Sequence, residues 1–271
     1  MKKDSKVEFL REKNLEKAIE LIKEKGKFAI LSEYSTFFDM RTYFKVNEDG
    51  DIFQKSYNPI TLLYLFCNNE KNLAEYLFKY SYPEEKQNIK KIDRASNLDI
   101  ETLKKNLMKT LTNFNLDFSK IFAKELFLRD RKAFFELMYN FSFMGNPKDL
   151  KVLFVYALEE IFSQINYDEN IFYTIIAYLT KFRDDYSIYM NSTDETIKFD
   201  TDNYNEDKKI YLNVVEKIFI QFKIIFKIVE KIFARYNLKN ENKFKVSLCR
   251  YFENDFELNQ DLKDILKGKD I

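Results

Sequence analysis

The sequence predicts an all-α protein with one small β-hairpin near residues 42–56. Only 4 glycines and 3 prolines occur in 271 residues. A β-sandwich or a doubly wound α/β domain uses more turn glycines, so this scarcity favours long helices joined by Asn and Asp turns. Apolar residues recur at helical spacing along most of the chain. The one clear β signal is an Asp-Gly turn between the alternating runs TYFKV and DIFQK.

The N-terminal elements begin with one predicted helix between Ser5, which forms a capping box with Glu8, and Gly26. A second helix is predicted over FAILSEYSTFFDM, before the hairpin. After it, the segment NPITLLYLFCNNEKNLAEYLFKY predicts a short helix, an Asn-Asn turn and another helix.

A charged stretch after Pro83, PEEKQNIKKIDRASN, predicts an exposed connection. It divides the chain into a smaller N-terminal helical part at 1–93, which carries the hairpin, and a larger C-terminal helical domain at 94–271. The helices predicted in the second part are about 99–114, 117–129, 130–144, 148–165, 169–182, 206–236, 241–254 and 256–267. Between 184 and 207 the sequence is polar and acidic, and most of it predicts a loop.

The residue inventory excludes several kinds of catalytic site. The chain has no histidine, which removes Ser-His-Asp and Cys-His nucleophilic sites and most catalytic zinc sites. No glycine-rich phosphate-binding motif occurs. Cys67 and Cys249 are far apart in apolar contexts, which predicts buried thiols of a reducing compartment. With no apolar segment for a secretory signal near the start, we expect a cytoplasmic protein without a cofactor.

Metal-dependent hydrolysis is the enzymatic alternative that remains open. Glu-x-Lys triplets begin at Glu84, Glu206 and Glu241, but no core strand is predicted before any of them. The acidic loop, which we define by Asp200, Asp202 and Glu206, suggests calcium. Its spacing misses the EF-hand pattern, which needs glycine where Asn205 stands. We therefore favour a solvated acidic surface and assign no catalytic or metal-binding residue.

Direct RNA or DNA binding is a second alternative. In the C-terminal region basic and aromatic residues alternate, so rings could stack on bases while cations contact phosphates. The candidate residues are Lys243, Lys245, Arg250 and Tyr251. The overall net charge of +1 gives no general attraction to a polyanion. Weakening of binding with salt in a gel-shift series would identify this function.

The segment IFIQFKIIFKIVEKIF, residues 218–233, contains the most apolar run of the chain. Its lysines each cost about 2.5–3.5 kcal/mol near a bilayer centre, so we predict no membrane span. Ten apolar residues share one side of the helical wheel and predict a core face. They are Val214, Val215, Ile218, Phe219, Phe222, Ile225, Phe226, Val229, Ile232 and Phe233.

A second apolar stripe lies almost opposite that core face. It consists of Ile220, Ile224 and Ile228, and it is bordered by Lys217, Lys223, Lys227 and Lys231. One interpretation is that another layer of the same chain covers it, with the lysines reaching past it to solvent. The other is that it is exposed and docks a protein partner or a second copy. Ile224→Asp separates them: the first predicts misfolding, the second a folded protein that no longer associates.

These observations favour a non-catalytic cytosolic protein that regulates another macromolecule by docking on it. The partner is expected to be a protein or a second copy of the chain. Nucleic acid is left open, either directly or through a nucleoprotein partner. One specific form is a phage or mobile-element inhibitor or accessory of a bacterial immune nucleoprotein complex, in which the acidic loop engages a basic groove.

Overall fold

The computed structural model describes residues 5–38, 44–46, 48–50, 52–54, 57–85, 95–222 and 241–267. Within these ranges the predicted all-α class is confirmed. The helices of the N-terminal part are α1 Ser5–Glu12, α2 Leu15–Lys25, α3 Lys27–Tyr34, α4 Ile60–Phe66 and α5 Glu70–Tyr80. Short 3-10 turns follow α3 at Ser35–Phe37 and α5 at Pro83–Glu85.

The first predicted helix is divided in two. Lys13 adopts a left-handed backbone conformation with φ of 51°, which ends α1. Asn14 then caps α2, because its side-chain Oδ1 accepts a hydrogen bond of 3.0 Å from the backbone N–H of Lys17. The apolar periodicity continues through this break, so spacing alone predicted a single helix, whereas the Asn cap marks the second start.

Strand structure in the described backbone is confined to two short strands, β1 Phe44–Val46 and β2 Ile52–Gln54. They pair antiparallel, with Phe44 opposite Gln54. Gly50 lies between them with φ of +85°, a conformation that glycine adopts without steric cost. The two strands cover fewer residues than the hairpin that was predicted near 42–56. The fold class remains all-α.

The central helices agree in order with the prediction. They are α6 Ile100–Thr112, α7 Leu116–Arg129, α8 Arg131–Phe143, α9 Lys151–Gln164 and α10 Glu169–Lys181. Each of these except α9 begins after an Asp or Asn whose side chain accepts a hydrogen bond from a backbone N–H of the first turn. Asparagine and aspartate caps therefore separate these helices, as the low glycine content predicted.

The C-terminal helices are α11 Ser187–Met190, α12 Glu206–Phe222, α13 Glu241–Phe252 and α14 Gln260–Leu266. The short α11 interrupts a region that was predicted as loop. The predicted helix over 206–236 is described as far as Phe222, and its remainder lies outside the described residues. No helix in the described ranges is long and apolar enough to cross a bilayer.

One hydrophobic core runs through both parts of the chain and includes residues from Phe9 to Leu266. Polar contacts also connect the parts. Ser32 Oγ donates to Asp168 Oδ2 at 2.8 Å, and Lys79 Nζ pairs with Asp261 Oδ2 at 2.6 Å. The proposed division near residue 93 falls in a segment outside the described residues and stays a prediction.

Candidate functional site

The described end of α12 agrees with the helical-wheel analysis. Val215, Ile218 and Phe219 are buried, whereas Ile220 is 77% exposed. Phe219 stacks on Phe143 of α8 at a centroid distance of 4.6 Å, which fixes the core face. The other members of the second stripe and its border, Ile224, Ile228, Lys223, Lys227 and Lys231, lie outside the described residues.

The three acidic-loop residues have different surroundings. Asp200 accepts a hydrogen bond of 2.7 Å from the Asn203 side-chain amide, and Asp202 is exposed. Glu206 pairs instead with Lys267 at 2.8 Å and Lys263 at 3.3 Å. Among the described residues, no three acidic or cysteine side chains are grouped so as to hold a metal ion.

The basic and aromatic residues proposed for nucleic acid binding contact the chain itself. Lys243 is buried, lies 5.0 Å from the Tyr189 ring centroid, and donates to the Met190 carbonyl oxygen at 3.2 Å. Burial lowers the pKa of this amine. Tyr251 Oη likewise donates to the Asp185 carbonyl oxygen at 2.9 Å.

The other two candidates, Arg250 and Lys245, have similar contacts. Arg250 donates to the Asn191 carbonyl oxygen at 2.9 Å, and the Lys245 amine lies 5.5 Å from the Phe219 ring centroid. Three of the four residues thus connect α13 to segment 185–191, and the fourth contacts α12. Nucleic-acid binding by this region stays a prediction.

A different site, which the sequence did not reveal, lies where α7, α8 and the end of α9 meet. We call it the aromatic–arginine pocket, an open cavity of about 580 Å³. Such a volume lies within the range of small-ligand pockets. Its lining residues are Phe127, Arg131, Phe162, Ser163, Gln164, Ile165, Asn166 and Tyr167.

A tight turn at Asp130 places two of the lining residues side by side. The Asp130 backbone N–H donates to Leu126 and closes α7. Its carboxylate accepts a hydrogen bond of 2.9 Å from Ala133 N–H and caps α8. Because one residue ends one helix and begins the next, Phe127 and Arg131 lie on consecutive helical turns on either side of it.

The Arg131 guanidinium lies beside two rings that are nearly perpendicular to each other. Its central carbon is 5.3 Å from the Phe127 ring centroid and 5.7 Å from that of Phe135, and the two rings meet at 82°. Arg131 itself is exposed. It has no ion pair or hydrogen bond with any residue of the described ranges.

The floor of the pocket belongs to an aromatic cluster centred on Phe127. Its ring centroid lies 5.4 Å from Phe162, 5.6 Å from Tyr167 and 5.3 Å from Phe172. The Tyr167 hydroxyl is buried without a hydrogen-bond partner in the described part of the chain, and burial raises its pKa. The cluster gives the pocket a rigid apolar base, because rings in mutual contact cannot rotate freely.

Another cation beside a ring, Lys151, lies in the interior and provides a contrast. Lys151 begins α9 and is 1% exposed. Its Nζ lies 5.0 Å from the Phe141 ring centroid, donates to the Phe182 carbonyl oxygen at 2.7 Å and pairs with Asp184. Burial, together with a hydrogen bond to Asp184, raises the pKa of Asp149 to about 8.

The raised pKa of Asp149 favours its protonated form, and its neighbours Lys151 and Asp184 form an ion pair. A polar cavity of about 350 Å³ lies near this cluster and includes Asn146, Asp185 and Tyr251 in its lining. The Asp184 and Lys151 side chains are almost completely removed from solvent, so the arrangement serves to hold α9 to segment 182–184.

Comparison with protein-family models, with curated proteins and with solved structures gave no match. The contacts of the described residues are therefore the basis of any functional proposal. Of these, the aromatic–arginine pocket joins an apolar base to an exposed cation that forms no ion pair or hydrogen bond with a described carboxylate, although its charge acts on that of Glu159. No sequence motif marks it, because phenylalanine is common throughout the chain, with 28 in 271 residues.

Proposed function

We propose that this chain is a non-catalytic cytosolic protein that regulates another macromolecule by docking on it, through a surface that includes the aromatic–arginine pocket. The observation that supports this most directly is the exposed Arg131 guanidinium, held against two rings and without a carboxylate partner among the described residues. An arginine in contact with aromatic rings is a frequent centre of binding energy at protein interfaces.

Exposed apolar residues support the same proposal. Phe118 is 52% and Leu128 is 57% exposed on α7, the helix that also supplies Phe127. Ile220 on α12 is a second candidate contact. Isolated exposed apolar residues are common in monomers, so these residues support the proposal only together with the pocket.

One specific form of the function is an inhibitor or accessory, encoded by a phage or another mobile element, of a bacterial immune nucleoprotein complex. In that form the acidic loop would contact a basic groove of the complex. Its exposed carboxylates, Asp200 and Asp202, are the groups available for such a contact. Reversing their charge, with Glu206 reversed as well, should then weaken docking.

Site-specific photocrosslinking in the native cell tests the proposal. A benzophenone amino acid would be placed at the position of Gln164 on the pocket rim, at that of Ile220, and at that of Lys23, an exposed control in α2. We expect a protein adduct from the Gln164 position and none from the Lys23 position. Equal labelling from both would contradict docking at the pocket.

The same experiment addresses the nucleic-acid alternative. If nuclease removed the mass added at the Gln164 position, the bound partner would be RNA or DNA and not a protein. Purification in the presence of a chelator tests the metal-dependent alternative, because loss of an activity on chelation would identify a hydrolase.

A further inference from the structure

We infer that the aromatic–arginine pocket binds a segment of a protein partner in which a carboxylate stands beside an aromatic or aliphatic side chain. This inference rests on the proposed docking function and adds the chemistry of the docked group. Three properties of the pocket lead to it: the apolar base, the one cation among the described lining residues, and the polar amides of the rim.

The apolar base fits a large side chain. Phe127 and Phe162 are almost fully buried, and the Tyr167 ring lies 5.8 Å from that of Phe162. A ring or a branched aliphatic group that enters the cavity would contact these rings and lose its own exposed apolar surface. Burial of such a side chain contributes favourably to binding in proportion to the apolar area removed from water.

The charged lining group fits a carboxylate. Two adjacent rings contact the Arg131 guanidinium, which restricts its motion. Its N–H groups have no hydrogen-bond acceptor among the described residues. A planar guanidinium donates two parallel hydrogen bonds to a carboxylate, a geometry that an ammonium group cannot reproduce. When such a ligand binds, Arg131 therefore loses less conformational freedom than an arginine without ring contacts would lose.

The described lining of the pocket suits one anionic group better than a nucleic acid strand. Each nucleotide carries a phosphate, so strands bind along several cations, whereas Arg131 is the one cationic residue among the described residues of the lining. A single carboxylate needs only one such partner.

The polar rim completes the fit to a peptide. Gln164 and Asn166 are exposed, and each side-chain amide offers both donors and an acceptor. Main-chain N–H and C=O groups on either side of an inserted side chain need such partners when they leave water. The pocket therefore combines groups that suit the side chain, the carboxylate and the backbone of one short segment.

Small probes test this chemistry on the isolated full-length chain. N-acetyl-L-phenylalaninate carries the ring and the carboxylate, N-acetyl-L-phenylalaninamide lacks the charge, and AMP combines a base with a phosphate. Binding would be followed by NMR through the backbone amide signals of Gln164 and Asn166, two lining residues that every variant keeps. We expect N-acetyl-L-phenylalaninate to bind at least tenfold more tightly than either of the other two.

Three variants test whether this preference depends on Arg131. Arg131→Gln should remove the preference for the carboxylate, while Arg183→Gln should keep it. Arg183 is a matched control because its guanidinium also lies on a ring, 5.3 Å from the Phe114 centroid, away from the pocket lining. Arg131→Lys keeps the charge but not the planar donor pair, so we expect intermediate affinity.

Three outcomes would overturn the inference: tighter binding of AMP, equal binding of the acid and the amide, or no binding by any probe. Each can occur while a protein adduct still forms from the Gln164 position, in which case docking stands and only its chemistry is wrong. A preference for the acid without any adduct would instead contradict the docking function, and with it the assignment of the pocket to a protein partner.

Discussion

Lys151 and Arg131 both lie against aromatic rings, as several other described cations do, but they differ in burial and in hydrogen-bond partners. Lys151 lies over Phe141 in the interior, where Asp184 and a backbone carbonyl accept its hydrogen bonds. Arg131 lies beside Phe127 and Phe135 at the surface and has no hydrogen-bond acceptor among the described residues. Contact with a ring is common to both, so burial and the partner carboxylate distinguish them.

The difference has an energetic meaning. A buried charge must be neutralised and hydrogen-bonded, since removal from water costs several kcal/mol per ion. Lys151 meets that requirement within the chain and is explained by folding. Arg131 keeps contact with water and makes only a small contribution through its rings. Its position is therefore consistent with the proposed docking of a group from outside.

The largest expected effect is the loss of the carboxylate beside Lys151. Asp184→Ala would leave a buried ammonium group without its counterion, which typically costs about 3–5 kcal/mol. Urea unfolding would measure this loss. Asp185→Ala is the neighbouring control, because Asp185 lies at the surface and its carboxylate accepts hydrogen bonds from Ser187 alone among the described residues. A similar loss in both variants would show that the interior pair is not special.

The raised pKa of Asp149 provides a second test of the interior cluster around Lys151. Its carboxyl would ionise above about pH 4 in the unfolded chain but keeps its proton up to about pH 8 when folded. Stability from this group is thus complete below about pH 4 and is lost as pH rises toward 8.

Asp149→Asn should remove that dependence, because an amide has no proton to release in this range. Between pH 5 and 8, the free energy of unfolding should fall less steeply with pH for the variant than for the native protein. The two slopes should differ by up to about 1.4 kcal/mol per pH unit, the value for one proton. Parallel curves for variant and native protein would mean that Asp149 ionises normally in the folded state.

Adding a methyl group beside Asp184 should reduce the free energy of unfolding by less than removing its carboxylate. A Cβ added at Gly145 would lie 2.5 Å from the Asp184 carboxylate oxygen Oδ2. Gly145→Ala should therefore displace that carboxylate and destabilise the fold by about 1–3 kcal/mol. Calorimetric melting would detect this, and an unchanged melting temperature would show that the segment adjusts at no cost.

Two tyrosines give the smallest effects, with opposite signs. Tyr139 Oη donates to Glu159 Oε2 at 2.7 Å, so Tyr139→Phe should cost about 1 kcal/mol. The buried Tyr167 hydroxyl has no partner in the described part, so Tyr167→Phe should be neutral or stabilising by about 1 kcal/mol. Equal destabilisation in parallel urea titrations would imply an acceptor for Tyr167.

The sequence predicted the elements better than it predicted the site. Periodicity and cap residues placed α6 to α10, because each helix buries an apolar side and most start at Asn or Asp. The same reasoning identified the face that carries Ile218 and Phe219 and the opposite position of Ile220. These features depend on residues close in sequence, so a local pattern is sufficient to find them.

The pocket depends on residues that the fold brings together. Phe127, Arg131 and Phe162 come from three helices, and their meeting follows from the packing of α7 and α9 around α8. Lys151 and Asp184 are likewise 33 residues apart, and neither belongs to a motif. Conversely, Lys243 and Arg250 suggested a nucleic-acid surface because their contacts with segment 185–191 could not be predicted from spacing.

The most direct test of this account compares the free energy of unfolding of Arg131→Gln with that of Lys151→Gln in the same urea titration. Both changes replace a cation on a ring by the same neutral amide. We predict that Lys151→Gln loses about 3 kcal/mol or more, whereas Arg131→Gln loses about 1 kcal/mol or less. An equal loss in the two variants would contradict the account, because Arg131 would then be required for folding.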